Sequence, residues 1–144
     1  MSLEKFSKKN PKISKRVTRE ITADAILIQN GKILLDKRLR EPFRGVWGLP
    51  GGHVEFNETV EQACLRELKE ETNLDVEIVR LFGIFSNPDR DEYQRVTVVY
   101  EVTCDETSGL KAGDDASEVG WFDINNLPDL AFDHEEIVSR FIST

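Results

Sequence analysis

Glu67, Glu70 and Glu71 stand three and four residues apart in the middle of the chain. At about 3.6 residues per turn, that spacing gathers three carboxylates within an arc of roughly 100° on one helix face. Crowded carboxylates repel one another. Such a stripe is therefore either a solvated face balanced by neighbours such as Arg66 and Lys69, or the ligand set of a cation. The segment before the helix favours the cation. Leu49-Pro50-Gly51-Gly52 is a Gly-rich turn, able to bring backbone carbonyls close to a bound ion or phosphate. Hard oxygen donors suit Mg²⁺, with Mn²⁺ as the alternative. An ion that keeps waters and is shared with substrate phosphates points to phosphoryl or pyrophosphoryl chemistry.

The elements that must position these residues are legible in pattern. Thr59-Val60-Glu61-Gln62 matches a capping box, and Val60, Ala63, Cys64 and Leu68 recur at helical spacing up to about Thr72. Asn73 follows where a left-handed C-terminal residue is expected. Upstream, residues 21–29 and 32–36 flank Asn30-Gly31, a pair suited to a type I′ hairpin. Residues 40–57 are rich in Pro and Gly and read as a constrained loop with short strands. Downstream, residues 74–85, 94–103 and 118–123 read as strands, with Val96, Val98, Tyr100 and Val102 on one face. Asn87 to Asp91 forms a turn, and Asp133 is placed to cap a last helix running toward Ile142.

Gly52 is followed after five residues by Glu58, after seven more by Arg66-Glu67-Leu68, and then by Glu70-Glu71 and Leu74. This resembles the signature of the Nudix hydrolases, with Asn73 standing where the family has glycine; both residues tolerate the left-handed conformation. The resemblance implies that Glu67 and Glu71 ligate metal, that Glu70 ligates the metal or a bound water, and that the Gly51 carbonyl completes the coordination. It also implies that Arg66 and Glu58 support those ligands. The reaction implied is attack of an activated water on one phosphorus of a diphosphate, with the general base drawn from Glu70, Asp114, Asp115 or Glu118.

The signature fixes chemistry rather than substrate. Residues 86–91 followed by 96–100, residues 113–116 and residues 131–137 resemble segments of the ADP-ribose pyrophosphatase branch. That resemblance implies hydrolysis of a nucleoside diphosphate derivative, ADP-ribose to AMP and ribose 5-phosphate, by a homodimer. A nucleoside triphosphate or dinucleoside polyphosphate pyrophosphohydrolase is the alternative, and a noncatalytic sensor of ADP-ribose or a nucleotide is a reading of another class. Candidate substrate contacts are Arg40, Arg44 and Arg90 for phosphates, Phe43 for stacking on adenine, and Asp115 and His134 from the matching segments.

At 144 residues and 39% hydrophobic content the chain suits one α/β domain. A hairpin, later strands and two helices suggest an α/β/α sandwich around a mixed β-sheet, the Nudix architecture, over residues 20–144. Residues 1–19 form a basic arm with seven Lys or Arg against Glu4, while the whole chain carries −8. The acidic body argues against nucleic-acid binding by phosphate neutralisation. No run approaches the roughly 18 apolar residues of a membrane span, and no signal-peptide stretch is visible. Cys64 and Cys104 read as buried free thiols. A cytoplasmic enzyme is expected.

Overall fold

The computed structural model describes residues 18–114 and 116–144. Most of the basic arm and the candidate Asp115 therefore lie outside the described residues. Arg19, at the end of that arm, belongs to the folded unit: its guanidinium donates to the carbonyls of Gln94 (2.5 Å) and Ser86 (2.6 Å).

Two sheets form the centre. One is mixed and has the order β5 (Gly51–His53), β1 (Ile21–Ile26), β7 (Val96–Thr103), β6 (Glu77–Phe85). Here β1 runs parallel to β7 and the other pairs are antiparallel. In the second sheet β3 (Lys32–Arg38) pairs antiparallel with β8 (Ala116–Asp123) along its length. The same strand pairs with β2 (Ile28–Gln29) and β4 (Trp47–Gly48) near its two ends. Helix α1 (Val60–Thr72) packs Ala63, Cys64 and Leu68 on one core with Ala23, Ala25, Tyr100 and Val102. Helix α2 (His134–Ile142) packs Ile137 and Val138 on a second core with Ile26, Leu35 and Val99. Side chains of one strand thus alternate between two helices, the period-2 signature of a strand buried on both faces.

The apolar run 21–29 serves both sheets rather than one hairpin. It breaks at Leu27, whose carbonyl accepts from Leu34 N–H at 3.0 Å. Ile26 enters one core and Leu27 the other. Asn30 and Gly31 do take positive φ (54° and 75°), as the turn between β2 and β3 requires. Strand β6 starts at Glu77 rather than residue 74, because Leu74 and Val76 are buried in the α1 core on the way from helix to strand. Two residues are cut from the start of the next strand, where Gln94 takes φ 54°, and β8 gains Ala116 and Ser117. Asp133 precedes α2 but makes no side-chain cap hydrogen bond. Its carboxylate is taken up by Arg90, at 2.7 and 3.0 Å.

Helix α1 is closed at both ends. Thr59 Oγ1 accepts from Gln62 N–H (3.0 Å) while Gln62 Oε1 accepts from Thr59 N–H (2.8 Å). Asn73 (φ 64°) donates its N–H to Lys69 O. The loop between β7 and β8 satisfies two more carbonyls, Lys111 N–H to Thr72 O (3.0 Å) and Gly113 N–H to Glu71 O (2.9 Å). Gly113 is required there, because a Cβ would collide with the Glu70 carbonyl. Among the described residues no helix is long and apolar enough to cross a membrane. Replacing Thr59 by Ala removes one N-terminal bond and is expected to cost about 1 kcal/mol in urea unfolding, with no change of fold by circular dichroism.

Candidate active site

Residues 47–53 stitch the two sheets together. Their first part, β4, pairs with β3 so that Gly48 lies opposite Asp36; their last part, β5, pairs with β1 so that Gly51 lies opposite Asp24. Between them Pro50 O accepts from Ala25 N–H at 3.0 Å. The segment therefore runs between two strand aspartates, both buried. A Cβ at Gly51 would collide with Ala23 O and Asp24, and one at Gly52 with the Glu67 carboxylate. Both glycines are needed for close approach.

Glu71 reaches this segment from α1. It is 8% exposed, accepts from Gly51 N–H through Oε2 (3.0 Å), and shares a hydrogen bond with the Asp36 carboxyl. Burial, and then the neighbouring Asp36, push the Glu71 pKa well above the usual carboxylate range. Burial raises Asp36 as well. Two carboxylates side by side in a low-dielectric site repel one another when both are ionised, so burial and proximity favour a proton or a cation between them. Oxygen-only donors, buried and short of positive charge, suit a hard divalent ion.

The rest of the stripe divides by angle. Glu71 lies at the inward end of the arc and Glu70 at the outward end, 51% exposed at the side chain. Arg66 organises the outer members: Nη1 donates to Glu67 (2.9 Å) and Glu70 (3.2 Å), while Nε and Nη2 grip Glu58 at 3.0 and 2.7 Å. A further bond to His53 O at 3.0 Å ties the guanidinium to the end of β5. Paired this way, the Glu58 carboxyl is drawn down to about 2 by Arg66, with the Glu55 N–H helping, and Arg66 is raised in turn. Because the carboxylates have turned to these partners, no group of three or more His, Cys, Asp or Glu converges in metal-holding geometry among the described residues. Of the three glutamates within that arc, Glu67 and Glu71 line the cavity and Glu70 does not.

That cavity, about 370 Å³, is lined by Asp24, Asp36, Gly51, Gly52, Glu67 and Glu71. Arg38, Arg40, Arg90, Arg95 and Phe132 also line it. Of the expected phosphate contacts, Arg40 and Arg90 reach the cavity lining and Arg44 does not. Arg90 has its side chain 4% exposed and its donors committed to Asp133 and to Arg95 O (3.1 Å), so it is a buried strut rather than a surface charge. Phe43 lines an adjoining groove and meets Phe132 edge-on at 4.9 Å. Arg38 and Arg90 lie 4.8 and 5.8 Å from the centre of the Phe132 ring. Glu118, considered as a base, sits on β8 beside Lys37 at 3.7 Å, away from the cavity.

His134 is buried, at 4% exposure. Its Nδ1 accepts from Leu49 N–H at 3.0 Å, which places the ring proton on Nε2, 3.6 Å from Asp24 Oδ2. Asp24 also accepts from Thr97 Oγ1 at 2.5 Å. The start of α2 is thereby fastened to the Gly-rich segment, a bond reinforced by Ala131 N–H to Trp47 O at 2.8 Å. Asp24, Asp36, Asp91 and Arg95 were not singled out from sequence. The signal for the two strand aspartates was present: a charge inside Ala23-Asp24-Ala25 and after Leu34-Leu35 is tolerated only with a partner or a role.

The chain is similar to known proteins in sequence and fold. An ADP-ribose pyrophosphatase of Methanocaldococcus jannaschii is 48% identical over 122 residues, 85% of this chain and 72% of that protein. An oxidized purine nucleoside triphosphate hydrolase of Danio rerio is 32% identical over 111 residues, 77% of this chain and 70% of its own. The NUDIX domain of Shewanella oneidensis NrtR, solved in complex with ADP ribose, is similar with TM-score 0.81 at 28% identity, each chain covered in full. The family model of the NUDIX domain matches residues 18–141. The Gly-rich bridge, the Arg66-held glutamates and the buried Glu71 thus lie inside one family domain that spans almost every described residue, and the chain belongs to the Nudix hydrolases.

Proposed function

We propose that the protein hydrolyses ADP-ribose to AMP and ribose 5-phosphate with Mg²⁺ as the resident ion. The observation that carries this reading is one cavity lined both by the acids Asp36, Glu67 and Glu71 and by Arg38, Arg40 and Arg95. A cation-bridged diphosphate has the complementary charge pattern. ADP-ribose is chosen over other diphosphates because the Methanocaldococcus relative is an ADP-ribose pyrophosphatase and the NrtR domain was solved with ADP ribose.

Glu67, Glu71 and the Gly51 carbonyl would hold the ion, whose bound form supplies a polarised water and charge stabilisation on the phosphoryl oxygens. Gly52, lacking a side chain, leaves Glu67 its place, and Arg66 fixes Glu67 against Glu58. Glu70, half-exposed and outside the cavity lining, shares Arg66 Nη1 with Glu67 and would help Arg66 hold Glu67 in place. The buried thiols Cys64 and Cys104 fit a reducing compartment, and we place the reaction in the cytoplasm.

We also infer a homodimer paired through β6. That strand is an edge of the mixed sheet, and it exposes Val79, Leu81 and Ile84. An antiparallel strand edge is self-complementary about a two-fold axis. Light scattering is expected to give twice the chain mass for the native protein and the monomer mass for Leu81→Lys; a monomeric native protein overturns the inference.

Incubation with Mg²⁺ and a panel of nucleoside diphosphate derivatives, followed by product separation, tests the activity. AMP and ribose 5-phosphate are expected; faster turnover of nucleoside triphosphates or dinucleoside polyphosphates overturns the assignment. Glu71→Gln is expected to lower kcat/KM by about 100-fold or more, since partners outside the ligand set are themselves worth about 10–100-fold.

The raised pKa of the Asp36 and Glu71 pair gives a pH signature with a definite sign. A carboxyl whose folded pKa lies above its unfolded value contributes stability below the ordinary carboxylate range, and that contribution is lost as pH rises through the raised value. In chelator, the thermal midpoint is therefore expected to fall as pH rises above the ordinary range. Mg²⁺ restores it, and Glu71→Gln flattens the dependence.

A further inference from the structure

Next to the strut Arg90 lies a pair whose hydrogen-bonding capacity the protein does not use. Asp91 has its side chain 2% exposed. Its Oδ1 accepts from Arg95 N–H at 3.3 Å, while Oδ2 has no hydrogen-bond partner. The nearest cationic nitrogens to Oδ2, Arg90 Nη1 and Arg95 Nη1, stand at 3.8 and 3.9 Å, beyond hydrogen-bond reach. Arg95 has its side chain 16% exposed and its Nε also lacks a hydrogen-bond partner; the nearest carboxylate oxygen, of Glu20, is 3.8 Å away. These are the buried side-chain atoms without such a partner among the described residues, and both residues line the catalytic cavity.

Buried polar groups are almost always satisfied, because an unmade bond costs the full desolvation of the group. An unpartnered acceptor and an unpartnered donor on two neighbouring residues that line a cavity point to what would satisfy them: a ligand group that donates to the first and accepts from the second. A phosphate oxygen only accepts and would be repelled by Asp91. A hydroxyl does both. The edge of a purine also offers donor and acceptor, but a base wants an aromatic face to stack on. Phe132, the ring that lines the cavity, has the Arg38 and Arg90 guanidinium groups 4.8 and 5.8 Å from its centre, and the nearby Tyr93 has that of Arg95 at 4.6 Å.

We infer that Asp91 and Arg95 form a subsite that reads a ribose hydroxyl of the substrate, with Asp91 Oδ2 accepting from the hydroxyl and Arg95 Nε donating to it. The inference rests on the diphosphate reading of the cavity, not on the identity of ADP-ribose. It predicts a substrate class: diphosphate compounds whose flanking group is a sugar with its hydroxyls intact, so that deoxy counterparts are discriminated against.

The test compares kcat/KM for ADP-ribose, its 2′-deoxyadenosine analogue, and the analogue lacking the 2-hydroxyl of the terminal ribose, on the native protein and on Asp91→Asn. The Arg95 N–H holds an acceptor oxygen in place, so the Asn amide nitrogen falls where Oδ2 was and reverses the polarity of the contact. One analogue is expected to lose about 10–100-fold on the native protein, mainly in KM, the range of a hydrogen bond to a charged group. Which analogue does so identifies the ribose. In Asp91→Asn that preference is expected to shrink to about twofold or less, because ADP-ribose loses more than the deoxy analogue does. Equal treatment of all three substrates by the native protein overturns the subsite. So does an equal loss on all three in the variant, which marks a structural role. Should Asp91→Asn fail to fold, Arg95→Lys, which keeps the charge and removes Nε, decides by the same comparison. If ADP-ribose proves a poor substrate, ATP against dATP replaces it. Discrimination lost in the variant then upholds the hydroxyl subsite while the ADP-ribose reading fails.

Discussion

Burying Glu71 against Asp36 is the constraint from which the rest of the site follows. Two carboxylates withdrawn from water repel one another and forfeit hydration, a penalty that only a shared proton or a cation removes. The fold nevertheless brings them together from separate elements, α1 and β3, and fastens Glu71 to the Gly51 N–H. A third carboxylate, Asp24 on β1, is buried close enough to raise Asp36 further. Such an arrangement is unstable as pure scaffolding and natural as a cation site, where the same repulsion becomes affinity. The stability withheld by the acids is supplied elsewhere, by the two apolar cores that the central strands share with α1 and α2.

The Gly-rich bridge is where this constraint meets the backbone. Residues 47–53 belong to both sheets, so the position of the acidic floor depends on how closely that bridge lies against β1 and α1. Any side chain at position 51 or 52 would wedge it away from Asp24 or Glu67. From the other side, His134 and Ala131 hold it by hydrogen bonds to Leu49 and Trp47. A histidine at the first position of α2 thus does framework work with its Nδ1, and the chemistry of the opposite helix depends on it. The expectation that His134 meets substrate captured its place at the cavity but not this bond.

How much of this was legible in sequence depends on range. Contacts within one turn were readable: the Thr59 and Gln62 box, the left-handed Asn73 and the positive φ of Asn30-Gly31 all follow from local chemistry. The Arg66 to Glu58 bond also follows a spacing within one loop and helix. Long-range partnerships were not. Asp133 looks like a cap because Glu136 stands three positions on, yet Arg90, distant in sequence, outcompetes the backbone for its carboxylate. The run 21–29 looks like one strand because period alone does not tell which sheet a residue joins. Asp24 and Asp36 carry a sequence signal as charges in apolar strands, but only the pairing of β3 with β4 and β1 with β5 brings them to the same floor.

An acidic chain that binds an anion must solve a field problem: with a formal charge of −8, the average potential repels a diphosphate. The solution visible here is local. Arg38, Arg40, Arg90 and Arg95 all border the same cavity as the acidic floor, so their field acts at short range where the surrounding carboxylates are screened or protonated. Their commitment differs in degree. Arg90 spends its donors on Asp133 and Arg95 O and so fixes the shape of the cavity wall, while Arg38 lays its guanidinium on Phe132 and bonds Pro42 O at 2.8 Å. A guanidinium cannot escape its charge by losing a proton, whereas the Asp36 and Glu71 pair can. The positive charge at the cavity is therefore permanent, while the negative charge of Asp36 and Glu71 depends on what offsets their repulsion.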